Sequence, residues 1–139
     1  MAIGKINKVK VDNRYNLYYS SNSYPPYNAE HTIHNLTFCL LTSEDGIHFK
    51  PEKVNKHDFF GNKENNIVFV GGEYTDNFTV MYDNNPNCPK NEKFKALSGG
   101  KDFLENGRSY GVLDLYTSPD GIDFSFKQNW LCLLFVFTW

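Results

Sequence analysis

The chain has 139 residues, with 16 acidic against 14 basic side chains for a net charge of -2, and 17% of it is aromatic. A near-neutral chain without a basic block lacks the electrostatic footprint of a nucleic-acid or anionic-membrane binder, so both partners are excluded. The length suits one domain that buries about two thirds of the surface its unfolded form exposes, and its 12 Phe and 9 Tyr favour half-buried pleated strands over helices.

In chain order, "KVKVDNRYNLYYS" (Lys8 to Ser20) predicts a strand, a turn at "DNR" and a second strand. "SNSYPPYNAEHTIHN" reads as a loop, because two prolines and clustered Asn and Ser residues interrupt any ladder. "LTFCLLTS" is then an apolar strand leading into an "EDG" turn and a short outgoing strand "IHFK". "NNIVFV" predicts a buried strand, "GGEYTD" a turn, "NFTVMYDN" another strand and "NPNCPKNE" a break. "KFKAL" is matched to "YNLYY", a Gly-containing polar loop follows, and "YGVLDLYTSPDGIDF" repeats "LTFCLLTSEDGIHF". No helix of useful length is predicted, since "NEKFKALSGGKDFLEN" is cut by a Gly pair.

The repeated S-x-D-G-I-x-F corner has a physical reading. Asp bonds its own downstream backbone, Gly supplies positive φ, and Ile and Phe two apart fall on one face of the outgoing strand. Two such corners, each after an apolar strand, indicate stacked antiparallel sheets of the β-propeller kind.

Three cysteines, Cys39, Cys88 and Cys132, fit neither a disulfide framework nor a CxxC metal site and read as reduced thiols. His31 and His34 lie in a loop without further ligands, so no metal and no cofactor is expected. The N-terminus lacks the apolar core of a signal peptide, which makes the cytoplasm the default location.

"RYNLYYSS", "TSEDGIHFKPE", "GNKENNIVF", "DNNPNCPKNEKFKAL" and "YTSPDGIDF", in that order, resemble the blades of five-bladed β-propellers related to the arabinanase, levansucrase and invertase glycosidases. The resemblance implies an all-β fold of about two blades in an incomplete ring over residues 1–127. An apolar tail follows over residues 128–139. "WLCLLFVFTW" (Trp130 to Trp139) reads either as a closing strand or, preferred here, as the end of a frame that has shifted. As an uncharged, Pro-free run it also predicts marginal solubility that removal of everything after Lys127 would relieve.

Glycosidases of this kind use carboxylates in pairs, with a further aspartate gripping sugar hydroxyls as positive charge develops. The resemblance points to Asp83 as that stabiliser, at the end of an apolar strand, with Tyr82 standing where the family often has Arg and Asn84 where it has Pro. Taken by itself, Asp83 reads as the start of the "DNNP" turn. Asn65 and Asn66 would bring sugar-binding amides toward the axis, or else form a turn, and Tyr82 joins them as a substrate-contact candidate. Asp45 and Asp120 are corner residues without a catalytic assignment; Glu105 and Asp114 are acids that spacing does not single out. The tyrosines from Tyr15 to Tyr27 fit sugar stacking, except mid-strand Tyr18, which reads as packing between blades. Carbohydrate is therefore the expected partner, through a glycosidase-like propeller without a complete active site. The rival readings are a non-catalytic carbohydrate binder and a piece that self-associates through exposed blade edges.

Overall fold

The structure, a computed structural model, describes residues 2–23, 35–59, 61–71, 77–99, 103–105 and 108–132. The predicted loop with His31, His34, Tyr24 and Tyr27, the turn at 72–76 and the tail at 133–139 lie outside those residues. Among the described residues the chain is all-β: ten strands form two antiparallel sheets, with one 3₁₀ turn at Lys90–Glu92, and no barrel closes.

The first sheet is a meander of β1 (Ala2–Val11), β2 (Arg14–Ser23) and β3 (Asn35–Ser43), whose fourth position is shared. β4 (Lys50–Pro51) pairs with Leu41 and Thr42, and β5 (Ile67–Val70) pairs further along with Thr37 to Cys39. The second sheet orders β6 (Thr79–Tyr82), β7 (Phe94–Gly99), β9 (Arg108–Ser118) and β10 (Ser125–Cys132), with the short β8 (Phe103–Glu105) on β9. Each sheet is thus a four-position up-and-down unit of blade type. β8 falls in a segment the sequence reads as loop. β10 continues past residue 127 through a register shift between Phe126 and Gln128, carrying Trp130 to Cys132 into pairing with β9.

Register makes the repeat explicit. Tyr15 pairs with Ser43 as Phe94 pairs with Ser118, and Asn16 with Thr42 as Lys95 with Thr117. The equivalent of "KFKAL" is therefore "RYNLY", one residue earlier than the sequence match, because strand pairing rather than letter similarity sets the register.

Period-two burial puts one face of each sheet into a shared core. β7 alternates buried Phe94, Ala96 and Ser98 with half-buried Lys95, Leu97 and Gly99. The core joins Val9, Tyr18, Phe38, Leu40 and Val68 of the first sheet to Phe78, Val80, Phe94 and Ala96 of the second. At its centre Phe69 stacks on Phe78 with centroids 4.5 Å apart, and Phe124 meets Phe78 edge-on at 5.1 Å. The aromatic composition is thus used between the sheets, where offset and edge-on rings add about 0.5 to 1.5 kcal/mol per pair beyond their buried area. Polar links cross the same seam: Val80 N–H donates to Asn7 Oδ1 at 2.7 Å, and Lys56 pairs with Asp123 at 3.0 Å.

The two corners share one hydrogen-bond network. Ser43 Oγ donates to Asp45 Oδ1, which also accepts the Ile47 and His48 N–H groups at 2.9 and 2.8 Å. Ser118 and Asp120 repeat this with Ile122 and Asp123, both at 2.9 Å. Gly46 and Gly121 take φ of +76° and +77°. The expected outgoing strand "IHFK" forms only from Lys50, where β4 starts, and its counterpart after "IDF" from Ser125, since the aspartate captures the N–H groups an earlier ladder would need. Nor do Ile47 and Phe49 share a buried face: Ile47 is 77% exposed, whereas Ile122 and Phe124 pack on the core.

Candidate functional site

Asp83 leaves the end of β6, where its N–H still donates to the Lys93 carbonyl at 2.8 Å and so extends the β6–β7 ladder by one bond. Its Oδ1 accepts the Asn85 N–H at 2.9 Å, and Asn85 Oδ1 accepts that of Asn87 in turn. Lys95, the outward neighbour on β7, places Nζ 2.5 Å from Asp83 Oδ2. The Lys95 bond, then the Asn85 N–H and the Cys88 thiol, hold the Asp83 carboxyl down at about 2. Desolvation pushes the Lys95 ammonium down, but the bonds to Asp83 and Cys88 outweigh it and its pKa rises. The carboxylate is thus ionised and engaged, and among the described residues no second carboxylate joins its network.

The other sequence candidates lie elsewhere. Tyr82 sets its ring edge-on to Phe94 at 5.0 Å and packs on the core. Asn65 and Asn66 spend their amides on the chain itself, at the entry to β5 in the first sheet. Asn65 Nδ2 donates to the His57 and Asn62 carbonyls at 2.7 and 2.9 Å, and its Oδ1 accepts the Ile67 N–H. Asn66 Nδ2 donates to the Leu40 carbonyl at 2.9 Å and reaches Tyr19 Oη at 3.4 Å. Among the described residues no hydrogen bond links either asparagine to Asp83. Asp114 pairs across β9 with Ser98 and Asn129; Glu105 ends β8.

Sequence reading missed a polar cleft of about 500 Å³ beside the first corner, lined by Arg14, Thr42, Ser43, Glu44, Asp45, His48, Lys50 and Glu52. Arg14 comes from the start of β2, Lys50 from β4, and the rest from the corner and its flanks. Thr42 Oγ1 donates to Glu52 Oε2 at 2.9 Å, which fixes that carboxylate at the wall. His48 Nδ1 lies 2.6 Å from Asp45 Oδ2. The His48 ring, then its N–H, hold Asp45 well below the ordinary carboxylate range, while Asp45 raises the His48 pKa. The signal available in the sequence was the pair of corner positions that differ in charge between the repeats, Glu44 against Pro119 and His48 against Asp123. Hydroxyl, carboxylate, imidazole and guanidinium groups in one open cleft suit a ligand rich in hydroxyls, which donates and accepts in equal measure.

Among the described residues no group of three or more His, Cys, Asp or Glu is placed to hold a metal ion, and no helix is long and apolar enough to cross a membrane. No protein-family model, no curated protein and no solved structure matches this chain.

Proposed function

We propose that the chain is a blade-built segment of a five-bladed glycosidase-like propeller that binds carbohydrate without hydrolysing it. What carries the reading is the repeated unit, two four-position meanders with the same register and the same corner network, in a chain whose short motifs resemble those propellers. The non-hydrolytic part rests on Asp83, whose carboxylate is tied to Lys95 and to a turn instead of facing a second acid. Asn65 and Asn66 support β5, so the sugar is assigned to the cleft at Arg14, Asp45, His48 and Glu52.

The test is a binding screen against neutral oligosaccharides, run in parallel with turnover of aryl glycosides. Binding without turnover is expected, weakened roughly tenfold or more by Glu52→Ala, since losing one charge-assisted hydrogen bond costs about 1.5 to 3 kcal/mol. Asp83→Asn should leave binding unchanged. Hydrolysis abolished by Asp83→Asn would restore the enzyme reading, and absence of any sugar binding would overturn the proposal.

Self-association is a second reading, favoured by one observation. β10 pairs with β9 on one side only among the described residues, and its Phe126 is 57% exposed. An unprotected edge of this kind templates pairing with another chain. Sedimentation would show concentration-dependent oligomers, and a monomer throughout would exclude it.

A further inference from the structure

The turn that follows β6 folds over a thiol. Cys88 is free and only 8% exposed, and its N–H donates to the Asn85 carbonyl at 3.0 Å. Its Sγ lies 3.5 Å from the Glu92 carbonyl oxygen and accepts a hydrogen bond from Lys95 Nζ at 3.3 Å. That same Nζ is 2.5 Å from Asp83 Oδ2. A thiol, an ammonium and a carboxylate therefore meet at one point. The Lys95 and Asp83 side chains keep 25% and 30% of their exposure, so the cluster borders solvent on that side.

The arrangement is peculiar to the second sheet. Asn16, which register makes the counterpart of Lys95, is fully buried in the core and bonds to Tyr18. The blade design thus does not require a lysine here, nor does the β7 ladder, which Lys95 joins through its backbone.

We propose that Cys88 and Lys95 form an oxidant-responsive pair, in which hydrogen peroxide links Sγ to Nζ through one bridging oxygen. In the first step the Cys88 sulfur attacks a peroxide oxygen, the O–O bond breaks, and the thiol becomes a sulfenic acid with release of one water. Lys95 enters as an ammonium and gives up a proton to solvent. The free amine attacks a second peroxide, forming an N–O bond and a hydroxylamine and releasing another water. The hydroxylamine oxygen then attacks the sulfenic sulfur and expels its hydroxyl as a third water. Sulfur and nitrogen each lose two electrons, and the two peroxide molecules accept all four. The product carries no charge on nitrogen, so Asp83 loses its ion-pair partner while residues 88 and 95 become covalently joined. This holds whether or not the chain binds sugar.

The experiment treats the native protein with hydrogen peroxide, quenches the thiols, digests, and maps peptides by mass spectrometry. Met81, 57% exposed on the neighbouring strand, reports that oxidant has acted. The expected product is a cross-linked pair of peptides containing Cys88 and Lys95, heavier than their sum by one oxygen less two hydrogens. It should separate on reduction with a thiol. Lys95→Arg, which keeps a cation for Asp83, should lose the cross-link while Cys88 still oxidises, and Cys88→Ser should lose it with Lys95 intact. Should Met81 become a sulfoxide while Cys88 stays reduced, or Cys88 proceed to sulfinic or sulfonic acid without joining Lys95, the proposal is overturned.

Discussion

Two glycines with the same φ face different neighbours, and that difference is measurable. An added Cβ at Gly121 would lie 2.4 Å from Tyr18 Oη and 2.7 Å from a Phe94 ring carbon, both in the core. At Gly46 it would meet only the half-buried Tyr15 ring, at 3.2 Å. Gly46→Ala should therefore cost about 1 kcal/mol, the penalty of positive φ. Gly121→Ala adds overpacking and should cost about 2 to 4 kcal/mol, both read from urea unfolding; equal costs would mean the second corner is not wedged between the sheets. Both corners were legible from "SEDG" and "SPDG", because Asp capture of N–H groups and Gly at positive φ are local chemistry. Which of them is buried was not legible, since the covering residues come from distant strands.

Strand by strand, the sequence reading succeeds where alternation is long and fails where pairing partners compete. β2, β3, β5, β6, β7 and β9 fall where apolar runs predict them, whereas the strands expected right after each corner begin only at Lys50 and Ser125, past the bends. β10 is the informative element. The apolar run from Trp130 reads as an aggregation hazard, yet Gln128 to Cys132 pair in register with Leu115 to Gly111 of β9. A chain ending at Lys127 strips those partners and leaves β9 as a bare edge. It should unfold at lower urea concentration than the full chain and associate more. Greater solubility together with unchanged stability would instead show that residues beyond 127 take no part in the sheet.

Across the whole molecule, the seam between the sheets is held by a buried tyrosine. Tyr18, 1% exposed, donates from Oη to the Gly121 carbonyl at 3.0 Å and accepts from Asn16 Nδ2 at 3.2 Å. Burial lifts its pKa to about 12. The folded state therefore binds the phenolic proton more tightly than the unfolded state, whose tyrosine titrates near 10. The stabilisation is fully present below about pH 10 and is lost as pH climbs from there to about 12, a fall of roughly 3 kcal/mol. Unfolding followed by tyrosine absorbance and by backbone dichroism should coincide, because ionising this one hydroxyl opens the joint of both sheets. Tyr18→Phe should flatten the alkaline loss while costing about 1 to 3 kcal/mol at neutral pH, since the Gly121 carbonyl loses its donor. Two separate transitions would show that the sheets are independent units.

Composition, alternation and the twice-used corner are properties of short stretches, so the sequence alone determined an all-β chain, most of its strands and the repeat that relates its halves. The packing role of Tyr18 was readable for the same reason, as a mid-strand ring at period two. Site chemistry was not readable in this way. Asp83 stands where a strand-terminal acid is expected, but its partner Lys95 arrives through the pairing of β6 with β7. Asn65 and Asn66 are typed as sugar contacts by residue identity, and only the folded chain turns their amides onto His57, Asn62 and Leu40. The cleft at Arg14, His48 and Glu52, like the contact between Cys88 and Lys95, exists only once separate segments are brought together. A local pattern states which way a side chain points from its strand; what it meets is decided by the strand laid beside it.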